Sequence, residues 1–170
     1  MRVAVLTISD RSSRGEREDL SGPVLIAHVE KQGWEMVDAA IVSDDHRDIV
    51  EKLSSWSDNG GVDVILTTGG TGFAPRDMAP EATRAVIERE TPGLVEAMRA
   101  ASMRITPHAM LSRAMAGIRG RTLIINLPGS PRAAKENLDV LIPVLPHAVD
   151  LICDDPDAES GHRKTSFPAV

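Results

Sequence analysis

Four short aliphatic runs, residues 3–8, 37–42, 64–68 and 122–127, punctuate the chain, and each stops at turn-forming residues. They are nearly continuous in apolar character rather than alternating, which predicts strands covered on both faces, as in a parallel sheet. Helical stripes fall between them. Val24, Leu25, His28 and Val29 recur at helical spacing before Gly33, and Ile49, Val50, Leu53 and Trp56 do so before "DNGG"; glycine there supplies a helix stop. Pro80, suited to a first helical position, opens a third helix through Ala85, Val86 and Ile87. Pro92 opens a fourth through Leu94, Val95 and Met98. After the last run, Ser130 is expected as an N-cap with Pro131 behind it, and the stripe continues through Leu138, Leu141, Ile142 and Leu145. Pro143 and Pro146 lie inside that stripe and predict a kink or a break.

Strands alternating with helices give the fold class: α/β, a three-layer αβα domain on a mostly parallel sheet. Ligands of such sheets bind at the carboxyl ends of the strands, near a topological switch point. The four runs end in polar clusters: Ser9-Asp10, Ser43-Asp44-Asp45, Thr68-Gly69-Gly70-Thr71-Gly72 and Asn126-Leu127-Pro128-Gly129-Ser130. A parallel sheet would bring all four to one rim. The domain is expected to occupy residues 1–153, because residues 154–170 lose all periodicity and read as a mobile tail.

With 170 residues and 42% hydrophobic content, the chain suits one compact domain burying about two-thirds of its unfolded surface. Two Trp, two Phe and no Tyr make the core aliphatic and argue against base stacking. The net charge of −6 argues further against nucleic acid as a partner, and it means that an anionic ligand needs a local positive site or a bound cation. Cys153 is the only cysteine, so neither an internal disulfide nor a thiolate zinc site is available, which suits a reducing compartment. The apolar run in "MRVAVLTISD" is short for a signal peptide, and no run approaches the roughly 20 residues of a membrane helix. A soluble cytoplasmic protein, with no membrane partner, is the expectation.

Candidate chemistry concentrates in "VDVILTTGGTGFAPRDMAPEAT". Gly69, Gly70 and Gly72 fall within four residues, among Thr67, Thr68 and Thr71. The turn lacks the Lys-Ser/Thr of a P-loop and the dinucleotide G-x-G-x-x-G. Glycines and threonines just ahead of a helix nevertheless favour an anion cradle over a bare turn. Asp77 either complements the dipole of the helix that follows or serves that cradle. Asp44 is similarly open, since it or Asp45 could cap the helix containing Ile49. Two carboxylates on one rim beside a phosphate cradle suit Mg²⁺, which takes carboxylate and phosphate oxygens. Ser102, Ser112 and Arg113 read, on their own, as solvated helix and loop positions. The five histidines show no H-x-x-x-H spacing, and there is no G-x-S-x-G elbow, so nucleophilic catalysis has no candidate.

The segments "TTGGTGFAPRD", "PEAT", "ERETPGL", "ITPHAMLSRAMAGIRG" and "IINLPGSP" closely resemble the MogA/MoaB family of molybdenum-cofactor proteins, which includes the G domains of gephyrin and its plant counterpart. The resemblance runs over residues 3–152. It implies a three-layer α/β domain that assembles as a homotrimer. The activity it implies is adenylyl transfer: molybdopterin plus ATP, with Mg²⁺, gives adenylyl-molybdopterin and pyrophosphate, and the product passes to a molybdate-inserting protein. Matched residue by residue, the two carboxylates required for transfer and for the metal fall on Asp44 and Asp77. The pterin and nucleotide pockets fall on Gly69, Gly70, Thr71, Gly72, Ser102, Ser112, Asn126, Pro128, Gly129 and Ser130, with Ser9 and Asp10 resembling the first binding loop.

One segment departs from the pattern. Adenylyltransferases of the family carry Val-Thr-Pro after the second Asp, whereas this chain has Met78-Ala79-Pro80. Loss of the threonine removes an expected N-cap, typically worth about 1 kcal/mol, and predicts a looser loop around Asp77. The alternative to the enzyme is a MoaB-like protein that binds molybdopterin or its precursor without transferring AMP. Such relatives tend to lack a carboxylate at the position of Asp44, whose presence favours the enzyme. A scaffold role, as in receptor clustering by gephyrin, depends on appended domains.

Overall fold

The structure, a computed structural model, describes residues 1–154. Apart from Asp154, the expected tail lies outside the described residues. Strands β1 (Arg2–Ile8), β2 (Glu35–Val42), β3 (Val64–Thr68), β4 (Arg89–Glu90), β5 (Ala116–Arg119) and β6 (Thr122–Leu127) form one sheet in the order β2-β1-β3-β6-β5-β4. The four strands expected from the sequence pair in parallel, and β5 and β4 extend them in antiparallel fashion.

A single turn, α1 (Asp10–Ser13), follows β1, and longer helices cover both faces of the sheet. On one side lie α2 (Ser21–Lys31), α5 (Pro92–Met103), α6 (Pro131–Leu141) and α7 (Leu145–Ile152), whose Leu25, Val95, Leu138 and Leu145 pack on Val5, Leu66 and Ile125. On the other lie α3 (His46–Asp58) and α4 (Ala79–Val86), whose Ile49, Leu53, Trp56, Ala82 and Val86 pack on Leu6, Ile65 and Ile124. Successive strand residues thus feed opposite cores, as the two-residue period of a strand requires. The break expected near Pro143 separates α6 from α7, with Pro146 in the first turn of α7. No helix among the described residues is long and apolar enough to cross a membrane.

Three expectations need correction. Coverage on both faces holds for β1, β3 and β6 but not for β2, an edge strand whose Val37 and Ile41 are 37% and 44% exposed. The register slips there: Val3 pairs with Met36 but Ala4 with Asp38. The extra residue, Val37, is a bulge that turns Asp38 toward α3, where it accepts a hydrogen bond from Trp56 Nε1 at 2.7 Å. Second, α4 stops at Val86. Its buried stripe is Ala79, Ala82, Thr83 and Val86, while Ala85 is exposed and Ile87 is already extended. Third, β4 and β5 are strands that no aliphatic run announces.

Register places the strand ends together. Thr7 lies beside Thr68, Thr68 beside Leu127, and Ile8 beside Val42. From β1 the chain crosses to β2 on one side and later to β3 on the other, so the switch point lies between β1 and β3. The glycine turn leaves the sheet at that point.

Candidate active site

The turn after β3 can exist only because of its glycines. Gly69 has φ +102°, and a Cβ there would sit 2.3 Å from the Ile8 carbonyl oxygen, so the chain must cross the end of β1 bare. The loop after β6 lies against it: Thr68 Oγ1 donates to the Pro128 carbonyl at 2.8 Å, and a Cβ on Gly129 would come within 3.2 Å of Gly69 Cα. The two loops together form a thin wall, with a cavity on each side.

The first cavity, about 580 Å³, is lined by Gly69, Gly70 and Gly129 of the wall and by Ser9, Asp10, Asp44 and Asp77. The second, about 280 Å³, is lined by Thr71, Gly72 and Pro128 from the other side of the wall and by Ser102 and Ser112, over an apolar floor that includes Val95 and Met98. Sequence-predicted residues therefore gather at one place but divide between two chambers. Two of them face neither. Ser130 caps α6, accepting from the Ala133 amide at 3.5 Å. Asn126 is fully buried: its amide donates to Thr67 and Thr83 at 2.9 and 2.8 Å, and its carbonyl accepts from Met115 N. Its side chain ties β3, α4 and the approach to β5 beneath the wall.

The ambiguity between Asp44 and Asp45 is resolved by geometry. Asp45 caps α3, accepting from the Arg47 amide at 2.8 Å. Asp44 turns to the first cavity, where its Oδ2 accepts from the Asp10 amide at 2.7 Å while the Asp10 carboxylate accepts from the Asp44 amide at 3.0 Å. Asp77 does not cap α4 either. Its Oδ2 accepts from the Ala74 amide at 2.9 Å, and a Cβ on Gly72 would lie 2.8 Å from that oxygen. The expected loss of a cap at position 79 needs correction: the N-cap of α4 is Met78, which makes no side-chain bond, Ala79 is already the first helical residue with Pro80 second, and the Ala79 amide is satisfied by the Gly70 carbonyl at 3.1 Å. The loop is held from the wall rather than from position 79.

Sequence reasoning missed the cations. Arg11, Arg14, Arg17 and Arg76 all line the first cavity, and only Arg76 lies in the segment singled out. The other three come from an aperiodic stretch, "RSSRGER", where no pattern shows which way a side chain points. Arg76 forks onto Asp10 at 2.8 and 3.0 Å and so holds the Asp10 carboxyl below its usual value. These arginines bring positive charge to the cavity beside the carboxylates of Asp10, Glu18, Asp19, Asp44 and Asp77, with Arg76 paired to Asp10 and Arg14 to Glu16, so an anionic ligand there still calls for a bound cation.

Asp44 is perturbed the other way. Burial, with the Asp10 and Asp77 charges adding to it, raises its carboxyl above the usual value, against the Asp10 amide and Arg76. A carboxyl whose native pKa exceeds its unfolded one binds its proton more tightly when folded. The ionised form then costs stability above the native pKa, and the cost fades as pH falls through it toward the unfolded value of about 3.9. In metal-free buffer, Asp44→Asn is therefore expected to melt above the wild type at about pH 7, with the difference closing toward about pH 4. Melting curves across that range check it; a gain still present at the acid end would point to packing rather than charge. The same uncompensated charge suits a hard cation. Among the described residues no cluster of three or more His, Cys, Asp or Glu is arranged to hold a metal. Two carboxylates that leave other positions to phosphate and water match the habits of Mg²⁺.

Residues 4–147 match the family described as "Probable molybdopterin binding domain". The molybdopterin adenylyltransferase of Helicobacter pylori J99 is 43% identical over 155 residues, covering 89% of this chain and 88% of that one. Gephyrin of Dictyostelium discoideum is also 43% identical, over 97% of this chain, and the chain spans about a quarter (24%) of gephyrin's length. Among solved structures, the molybdopterin biosynthesis enzyme MoaB of Thermus thermophilus superposes with a TM-score of 0.85 at 49% identity, covering 91% of this chain and 98% of that one. The Mog protein of Mycobacterium ulcerans does so at 0.82 and 38%, covering 88% and 97%. The rim, the glycine wall and the match over most of the chain agree: the protein belongs to the molybdopterin-binding domain family of MogA and MoaB.

Proposed function

We propose that the protein is a molybdopterin adenylyltransferase, acting in molybdenum cofactor biosynthesis to convert molybdopterin and ATP to adenylyl-molybdopterin and pyrophosphate. The observation that carries this reading is the pair of cavities separated by one glycine wall, with Asp44 and Asp77 on the polar side. Bacterial relatives named for this activity, 39–43% identical over most of the chain, support it. In this reading the first cavity takes the nucleotide polyphosphate and the second, with its apolar floor, the pterin.

The nucleophile is an oxygen of the molybdopterin phosphate, already anionic at neutral pH, so no general base is required. It bonds to the α-phosphorus of ATP as the bond from that phosphorus to the bridging oxygen breaks, and pyrophosphate leaves with the electron pair. What the protein must do is align two anions and offset their charge. Asp44 and Asp77 would hold Mg²⁺, which when bound neutralises phosphate charge around the reacting centre. Arg76 and the arginines of residues 10–17 orient the polyphosphate. The bare backbone of Gly69 and Gly70 lets the two ligands approach across the wall. Ser102 and Ser112 hold the pterin end.

Incubation with ATP, Mg²⁺ and molybdopterin, followed by mass spectrometry, tests the reading. The adenylylated pterin is the expected product. Retention of unmodified pterin, with no AMP transferred, would leave a binding protein. The reading also includes a homotrimer in the cytoplasm that hands its product to a molybdate-inserting protein. Light scattering at micromolar concentration is expected to give three times the 18.3 kDa of the chain, and a monomer mass would remove the trimer.

A further inference from the structure

Arg113 lines neither of the two cavities, yet it holds the loop that carries Asp77. Its Nε donates to the Gly72 carbonyl at 2.6 Å and its Nη2 to the Asp77 carbonyl at 2.5 Å, while Nη1 pairs with Glu81 on α4. Its own amide donates to the Thr71 carbonyl at 2.9 Å. One half-buried residue thus grips both ends of the 72–77 segment and the helix beyond it. Within that segment, the Asp77 carboxylate and the Ala74 amide close a small turn, and the Asp77 amide donates back to the Ala74 carbonyl at 2.9 Å. No side chain caps α4 at Met78, so beside the bond of the Ala79 amide to the Gly70 carbonyl the Arg113 fork is the side-chain anchor of this turn.

We propose that Arg113 is a positioning residue for Asp77, its guanidinium fork setting the distance of that carboxylate from the glycine wall. The role rests on the reading of Asp77 as a phosphate- and metal-facing group given above. The chemistry of the fork matters more than its charge. A planar guanidinium presents several donors in fixed directions and can satisfy Gly72, Asp77 and Glu81 together. A lysine ammonium at the end of a flexible stem can meet one or two of them and fixes no plane.

The test compares Arg113→Lys with the wild type by amide hydrogen exchange and by steady-state AMP transfer. Exchange at Ala74 and Asp77 is expected to quicken at least about tenfold while the β3 amides stay protected, since only the local opening is eased. Turnover is expected to fall roughly 10- to 100-fold, with molybdopterin affinity within about twofold of the wild type, because the fork touches the second cavity only at the Gly72 carbonyl while Ser102, Ser112 and the apolar floor keep their places. A folded Arg113→Lys protein with unchanged exchange and unchanged turnover overturns the proposal. A wild type that transfers no AMP strikes at the enzymatic reading alone, and the exchange comparison still decides whether Arg113 holds the loop. If Arg113→Lys fails to fold, Glu81→Gln, which removes one charged anchor of the fork, is expected to give a smaller rise in exchange at the same two amides. No rise there overturns the proposal as well.

Discussion

Asp44→Asn and Asp77→Asn are each expected to lower AMP transfer by roughly 100-fold or more while leaving the fold and pterin binding nearly intact. The amide keeps an acceptor where the structure uses one: for the Asp10 amide in the first variant and for the Ala74 amide in the second. What is lost is negative charge at the cavity face, which a bound cation and the phosphates behind it require. Helix capping cannot account for such a loss at position 44, since Asp45 occupies the cap of α3. A purely structural role predicts normal turnover, whatever the shift in melting. Measuring AMP transfer, pterin binding and melting temperature on both variants separates the two cases, and normal transfer by both would hand the site to pterin binding without chemistry.

Gly69→Ala and Gly72→Ala are expected to fail in different ways, although they stand three residues apart. At Gly69 a methyl group meets the backbone oxygen of Ile8 at 2.3 Å, and the residue sits at φ +102°. Neither can be relieved by a rotamer. The conformational strain alone costs on the order of 1–3 kcal/mol, and the clash adds to it, so a fall of several degrees in Tm is expected. At Gly72 the methyl meets only the Asp77 carboxylate, at 2.8 Å, and φ is not in the left-handed region. The carboxylate can swing away. Gly72→Ala should therefore melt near the wild type but lose at least about tenfold in transfer, because a displaced carboxylate no longer faces the reacting phosphates. Equal Tm losses in the two variants would mean that the wall, not the carboxylate, is what Gly72 serves.

Much of this architecture is legible in one dimension, and the exceptions have physical causes. The buried strands announce themselves because both faces need apolar residues, which gives nearly continuous runs at residues 64–68 and 122–127. The run at 37–42 reads the same, yet a run of aliphatics does not say whether another strand or solvent lies beside it, and the bulge at Val37 leaves no mark in composition. Arg89–Glu90 is too short and too polar to be read as a strand at all. In the site, the place of Asp44 and Asp77 on the rim is legible because glycine turns and strand ends are local signals, whereas the choice between capping and facing the cavity needs the side-chain geometry. Asn126 is not, since its partners Thr67 and Thr83 lie 59 and 43 residues away and its burial depends on register. Arg113 hides for the same reason: a side chain bonding carbonyls 36 and 41 residues earlier has no local signature.

The thinness of the wall between the cavities has a consequence for the order of events. In the proposed reading ATP and molybdopterin each fill one chamber, and their adenylylated product would be a single molecule that straddles the wall and engages both. Joining two ligands makes the second contact intramolecular, so affinities compound rather than average, by factors that reach roughly 10²–10⁴ when the span fits. The enzyme would then hold its product more tightly than either substrate. Turnover would be governed by escape rather than by bond making, and the diphosphate-bridged product would stay on the protein until something draws it off.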